Sequence, residues 1–239
     1  MIDRIAPPQR PDLPIAGWQG WRSLLFIHWP VDIATLREQV PADLELDLLD
    51  GKAYVGIVPF VMQDVRPGWL PKSLSLNFLE TNLRTYVIYR GKPGVYFFSL
   101  DANSWLAVQA ARWGWGLPYH HARLDLEQRD EAYHYQLRRR RSNVELQVRY
   151  QPTTMLGASR VDSAEHFLLE RYLLFVRRGR HLFMGQVHHS PYPAQAVEIH
   201  SLRENMLANR QFRPLVQEPS FSHYASGVDV EIFPLRRVS

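Results

Sequence analysis

Residues 132–150 read AYHYQLRRRRSNVELQVRY, and this stretch decides the fold class. Tyr133, Tyr135 and Leu137 alternate with His134, Gln136 and Arg138. Beyond Ser142-Asn143 the pattern resumes, with Val144, Leu146, Val148 and Tyr150 set against Glu145, Gln147 and Arg149. A period of two places the apolar side chains on one face of each of two strands, joined as a hairpin. The run Arg138–Arg141 falls at its tip. Arginines along a strand alternate faces, so a solvated tip is expected rather than a nucleic-acid stripe. On that reading, replacing Arg139 and Arg141 with Gln changes stability little.

The same punctuation extends outward in both directions. Residues 1–17 are Pro-rich and read as an irregular arm. Ser23–Trp29 reads as a strand, and Asp32 can cap a short helix that stops before Pro41. Asp50-Gly51 marks a turn between Leu44–Leu49 and Ala53–Met62. Residues 74–90 read as a long strand, and Gly91–Gly94 as a turn into Val95–Leu100. Asn103–Trp113 reads as a helix, and Asp162 or Ser163 can cap another through Glu170. Strands are expected at 171–178 and 180–188, and alternation returns at Val228, Val230 and Ile232. Many hairpins and few short helices predict a mainly β single domain over residues 1–239, a closed antiparallel β-barrel with peripheral helices.

Composition narrows the chemistry. The 239 residues are 46% hydrophobic and 22% charged with a net charge of +4, within the globular range, and the charge does not by itself imply nucleic acid. There is no cysteine, which excludes disulfides, thiolate nucleophiles and Cys-based metal sites. No apolar run approaches a membrane helix, and the start MIDRIAPPQRPDLP has no apolar signal core, so a cytoplasmic protein is expected. Gly114-Trp115-Gly116 lacks the dinucleotide spacing, and no Walker sequence or G-x-S-x-G elbow is present, Ala225-Ser226-Gly227 being a weak substitute. The pairs His120-His121 and His188-His189 place neighbouring rings on opposite faces, so a polar pocket ring is favoured over a metal site. No cofactor is expected. The seven tryptophans are read as mostly core or pocket wall.

Five segments carry a family resemblance: FIHWPVD at 26–32, DGKAYVGIVPF at 50–60, FLETNLRTYV at 78–87, GVYFFSLDA at 94–102 and GLPYHHA at 116–122. Together they resemble the YqjF-like family of uncharacterised bacterial proteins, a branch of the acetoacetate decarboxylase-like superfamily. The resemblance implies a cone-shaped barrel enclosing a pocket. Acetoacetate decarboxylase forms an imine on a lysine whose pKa is lowered by a neighbouring cation. The resemblance places its arginine on Arg22 and one glutamate on Glu80. Its second glutamate falls near Val55 or Gly56, where there is no carboxylate. Its lysine pair falls on Tyr119, His120 and His121, where there is no amine.

The expected site is therefore Arg22, Glu80, Tyr119 and one of His120 and His121, with His120 preferred because the resemblance puts the second lysine there. Arg22 and Glu80 are expected to pair inside the barrel, since a buried carboxylate needs a partner. Two functions follow. One is a binding protein for a small organic acid or aromatic metabolite. The other is a lysine-independent acid–base enzyme acting on a keto acid or quinone-like compound. A filled barrel would favour a third, an interaction module using the basic hairpin. Neither nucleic acid nor membrane is an expected partner, and the composition is compatible with a homo-oligomer.

Overall fold

The computed structural model describes residues 2–239. The strands and helices follow in chain order. β1 (Gly17–Val31) leads to α1 (Ile33–Gln39), capped by the Asp32 carboxylate on the Thr35 amide, then β2 (Glu45–Leu46), β3 (Ala53–Pro67), β4 (Leu76–Tyr89) and β5 (Lys92–Ala102). Next come α2 (Trp105–Trp115), β6 (Tyr119–Arg129), β7 (Ala132–Arg139), β8 (Glu145–Gly157), α3 (Ala164–Leu169), β9 (Leu173–Arg178) and β10 (His181–His188). The chain closes with β11 (Ala194–Glu204), α4 (Met206–Asn209), β12 (Phe221–Ile232) and β13 (Arg236–Arg237). The fold is mainly β, as the alternation at 132–150 implies.

The strands are hydrogen-bonded in the order β13-β10-β9-β5-β6-β7-β8-β11-β12-β1-β3-β4-β2. Two further pairings matter most. β4 also pairs with β5, so nine strands, from β5 through β6 and β12 round to β4, return on themselves. β10 also pairs with β12, which makes a second ring of seven through β9 and β5. The two rings share the wall β12-β1-β3-β4-β5. Pairing is antiparallel except that β5 runs parallel to β6 and to β9. This departs from an all-antiparallel expectation because α2 carries the chain back to the start of the sheet, as parallel neighbours require. The β4–β5 turn also lies earlier than expected. Arg90 and Gly91 both take positive φ, the two-residue hairpin geometry that matches strand twist, and Tyr89 pairs with Lys92.

Each face of the shared wall has its own core. One face presents Leu25, Ile27, Val55, Ile57, Leu83 and Val87 to Tyr135, Leu137, Leu146 and Val148 of the hairpin. The other presents Leu24, Phe26, Val58, Phe60 and Tyr86 to Phe167, Leu168, Tyr172 and Tyr192. Strand periodicity sorts the residues between them, because adjacent side chains point opposite ways.

Two surface expectations are corrected. Trp69, in the turn after β3, is exposed, and so are Trp105 and Trp113, since α2 buries only Ala107 and Val108. Arg139 is not a solvated tip residue. It donates two hydrogen bonds of 2.7 Å to the fully buried carboxylate of Asp101 on β5. Arg141, beyond the end of β7, is exposed.

Breaking the Arg139–Asp101 pair leaves a buried charge without a partner. Arg139→Gln is expected to lose about 3 kcal/mol in urea denaturation, and Arg141→Gln to stay within about 0.5 kcal/mol of the parent. Equal effects of the two substitutions would contradict this assignment.

Candidate functional site

The candidate site is built on β4. Phe78 and Tyr86 belong to the second face of the wall, so Glu80, Asn82 and Arg84, at the alternate positions between them, share that face. All three are buried. Three consecutive polar residues at inward positions of a strand are costly unless each finds partners.

Glu80 finds Tyr119. The Tyr119 hydroxyl, from the first residue of β6, donates to Glu80 Oε2 at 2.7 Å, and both side chains are buried. Burial pushes the Glu80 carboxyl up to about 8, against a smaller lowering by the Tyr119 hydrogen bond and a further raising by the Asp101 charge. No cation is among the groups acting on it. Burial and the neighbouring carboxyl likewise push the Tyr119 phenol well above its usual value. At neutral pH this carboxyl is mostly protonated and able to donate a hydrogen bond or a proton.

Arg84 is held differently. Its Nη2 donates to the Leu168 carbonyl at 3.0 Å, its guanidinium lies 5.5 Å from the Phe26 ring centroid and 5.7 Å from that of Tyr86, and its Nε has no partner. In register beside it lie Gly56 of β3 and His28 of β1. The His28 ring occupies the space a side chain at 56 would need. A Cβ there would meet His28 Cδ2 at 2.8 Å, so glycine is required. His28 Nε2 shares a 2.6 Å hydrogen bond with the Tyr86 hydroxyl, which donates to the Leu168 carbonyl at 2.8 Å. Full burial, and then the Arg84 and His223 charges, hold the His28 imidazole well below its usual range, so it is neutral.

The other expected residues are dispersed. Arg22 does not meet Glu80. It donates to the Trp21 and Val228 carbonyls and pairs with the exposed Asp229 carboxylate at the outer edge of β1 and β12. A charge beside a strand bulge with solvent at hand pairs there at lower cost than in the interior. His120 stands in register with Asp101, on the opposite face from Tyr119, and burial lowers its pKa. His121 shares the Tyr119 parity and is half-buried. Tyr192 is buried and packs edge-on against Phe26, with centroids 5.3 Å apart. Lys52, Lys72 and Lys92 are exposed, and Lys72 bridges Asp64 at 2.9 Å.

Two recesses lie elsewhere. One is an open groove of about 650 Å³ beside Tyr133, Gln151 and Tyr224. The other is a cavity of about 10 Å³ where Arg4, Pro7 and Pro8 of the N-terminal arm roof over Glu170, Arg171 and Tyr172. Neither is lined by Glu80. Arg84 and Asn82 are the site residues that sequence reading passed over. Their signal was the phase of FLETNLRTY, in which Glu80, Asn82 and Arg84 recur every second residue between two aromatics.

Comparison with known proteins agrees with this architecture. The DUF2071 family model, described as "Uncharacterized conserved protein", matches residues 18–229. The chain is 37% identical over 223 residues to "Uncharacterized protein YqjF" of Bacillus subtilis (strain 168), covering 92% of each. Among solved structures it is similar to the enduracididine biosynthesis enzyme MppR complexed with pyruvate, with a TM-score of 0.67, 13% identity, and 97% and 93% of the two chains covered. It is also similar to acetoacetate decarboxylase from Legionella pneumophila subsp. pneumophila str. Philadelphia 1, with a TM-score of 0.66, 15% identity, and 98% and 92% covered. The fold is acetoacetate decarboxylase-like.

The Glu80 shift has a definite sign in stability. Between about 4.5 and 8 the folded protein keeps a proton that the unfolded chain has released, so this carboxyl makes stability fall as pH rises through that window. Glu80→Gln is expected to flatten the fall and to gain stability over the parent at pH 8, by up to a few kcal/mol. Other buried carboxyls act in both proteins and cancel in the difference. Parallel stability curves for parent and variant would contradict the shifted carboxyl.

Proposed function

This chain belongs to the DUF2071 family, and from that premise we propose that it is a small-molecule-binding protein. Its ligand, an organic acid or aromatic metabolite, sits within a barrel closed by the ring pairings and meets the second face of the wall. The single observation that carries this reading is the polar row Glu80-Asn82-Arg84 on the buried second face of the wall. Asn82 Oδ1, Arg84 Nε and His28 Nδ1 all lack a hydrogen-bond partner there. Buried polar groups are normally satisfied, and several unsatisfied ones together fit an absent partner. The structural neighbour crystallised with pyruvate offers a small keto acid as the kind of molecule this fold can hold.

The reading excludes imine chemistry. An imine needs an amine nucleophile inside the site, and Tyr119, His120 and His121 stand where the resemblance puts lysines. All three lysines of the chain are exposed, away from the buried face where an imine would have to form. The basic hairpin lends little to an interaction role, since Arg139 is committed to Asp101.

One observation favours the enzyme reading as a second. A carboxyl near 8 beside a phenol suits proton transfer at neutral pH to a keto acid or quinone-like compound. Glu80 would be the acid–base group and Tyr119 its positioning residue.

Small carboxylates and phenols are expected to raise the melting temperature in a concentration-dependent way, as any ligand of the folded state must. No shift across such a panel would overturn the binding reading. Incubation with acetoacetate and borohydride is expected to leave the mass unchanged. A covalent adduct on Lys52, Lys72 or Lys92 would contradict the exclusion of imine chemistry.

A further inference from the structure

We propose that Arg84 is an anion anchor and that the ligand of this site carries a carboxylate held by the Arg84 guanidinium. This rests on the reading that the second face binds a small molecule, and it adds the charge of that molecule and its point of attachment.

Arg84 is buried, and no carboxylate lies within ion-pair distance of it among the described residues. Its present neighbours are one carbonyl and two aromatic rings, which compensate a desolvated guanidinium only in part. The surroundings add positive charge. The Arg171 guanidinium lies 4.9 Å from the Tyr86 ring centroid, so the two arginines share that ring. Arg171 is paired with Asp47 at 2.7 Å, but Asp47 also takes two bonds from Arg4, so one carboxylate serves two cations. Glu170 is engaged elsewhere, accepting from the Tyr172 hydroxyl at 2.6 Å and the Tyr192 amide at 3.0 Å. Three arginines thus stand against two acids, and Arg84 is the one arginine of the three that no carboxylate contacts.

The shape of the site selects the anion. A planar guanidinium with a free Nε matches a planar carboxylate. Phe26 and Tyr86 lie against the Arg84 guanidinium and Tyr192 packs on Phe26, so an organic body attached to the anion would meet aromatic rings, and inorganic phosphate has no such body. Gly56 contributes by omission. The resemblance puts a carboxylate near this position, in register with Arg84, and with glycine there the position supplies none.

The test is binding of matched acid and amide pairs by ligand-observed NMR: pyruvate with pyruvamide, benzoate with benzamide, and inorganic phosphate alone. The parent protein is expected to bind at least one carboxylate about tenfold or more tightly than its amide. Arg84→Met is expected to lose that preference while melting no lower than the parent, because it removes an unneutralised buried charge. Equal binding of acid and amide by the parent overturns the anion anchor and leaves the binding reading intact. Binding of none of the five overturns both. Phosphate bound in preference to either acid overturns the carboxylate assignment. If Arg84→Met does not fold, Arg84 is a structural cation and the proposal fails, and the acid–amide comparison on the parent still reports on the binding reading.

Discussion

Every residue from Glu80 to Tyr89 is buried, because β4 is a wall between two interiors. A strand in that position has no solvent face on which to place a polar side chain, so each polar residue in it must be met by a partner across one interior or the other. On the first face the requirement is met within the chain. The Thr81 hydroxyl pairs with that of Tyr135 at 2.7 Å, and the Thr85 hydroxyl donates to the Tyr54 carbonyl at 2.8 Å. On the second face it is met only in part, and that asymmetry separates scaffold from site.

The way charges are treated elsewhere sharpens the contrast. Asp101 is fully buried and held by both arms of the Arg139 guanidinium, and Asp47 is held by Arg4 and Arg171. Asp101 has one cation and Asp47 has two, whereas Arg84 has no acid and Glu80 no cation. The two remain apart along one strand, four residues and therefore about 13 Å of extended backbone. They cannot neutralise each other. A ligand spanning that row would meet a positive group at one end and a protonated carboxyl at the other, an arrangement suited to an acid bearing a carbonyl or hydroxyl.

The fold was largely legible because it is written in local patterns. The period-two alternation at 133–150, the turn at Asp50-Gly51 and the Asp32 cap each report on nearby residues and hold in the structure. β6 and β11 were less visible, since their outer halves are polar and solvent-facing. Of the site, Glu80 and Tyr119 were legible and their contact is seen. Arg22 was not, because a charged residue near a strand's start reads the same whether it turns inward or, as here, outward to Asp229. Arg139 misread for the reciprocal reason. Its partner Asp101 lies 38 residues away on β5, and nothing in a run of four arginines reveals which one is claimed from a distance. Arg84 hid in a strand where Glu80 alone was read as an inward polar residue, although the phase of FLETNLRTY was available.

The account stands on where a ligand's carboxylate sits. A crystal structure of the protein grown with pyruvate or benzoate measures this directly. The expected result is the carboxylate within hydrogen-bond distance of the Arg84 guanidinium, with the ligand body against Phe26, Tyr86 or Tyr192 and Glu80 still bonded to Tyr119. A carboxylate bound instead at Arg22 on the outer edge, or in the groove beside Tyr133 and Tyr224, with Arg84 unchanged, would contradict it.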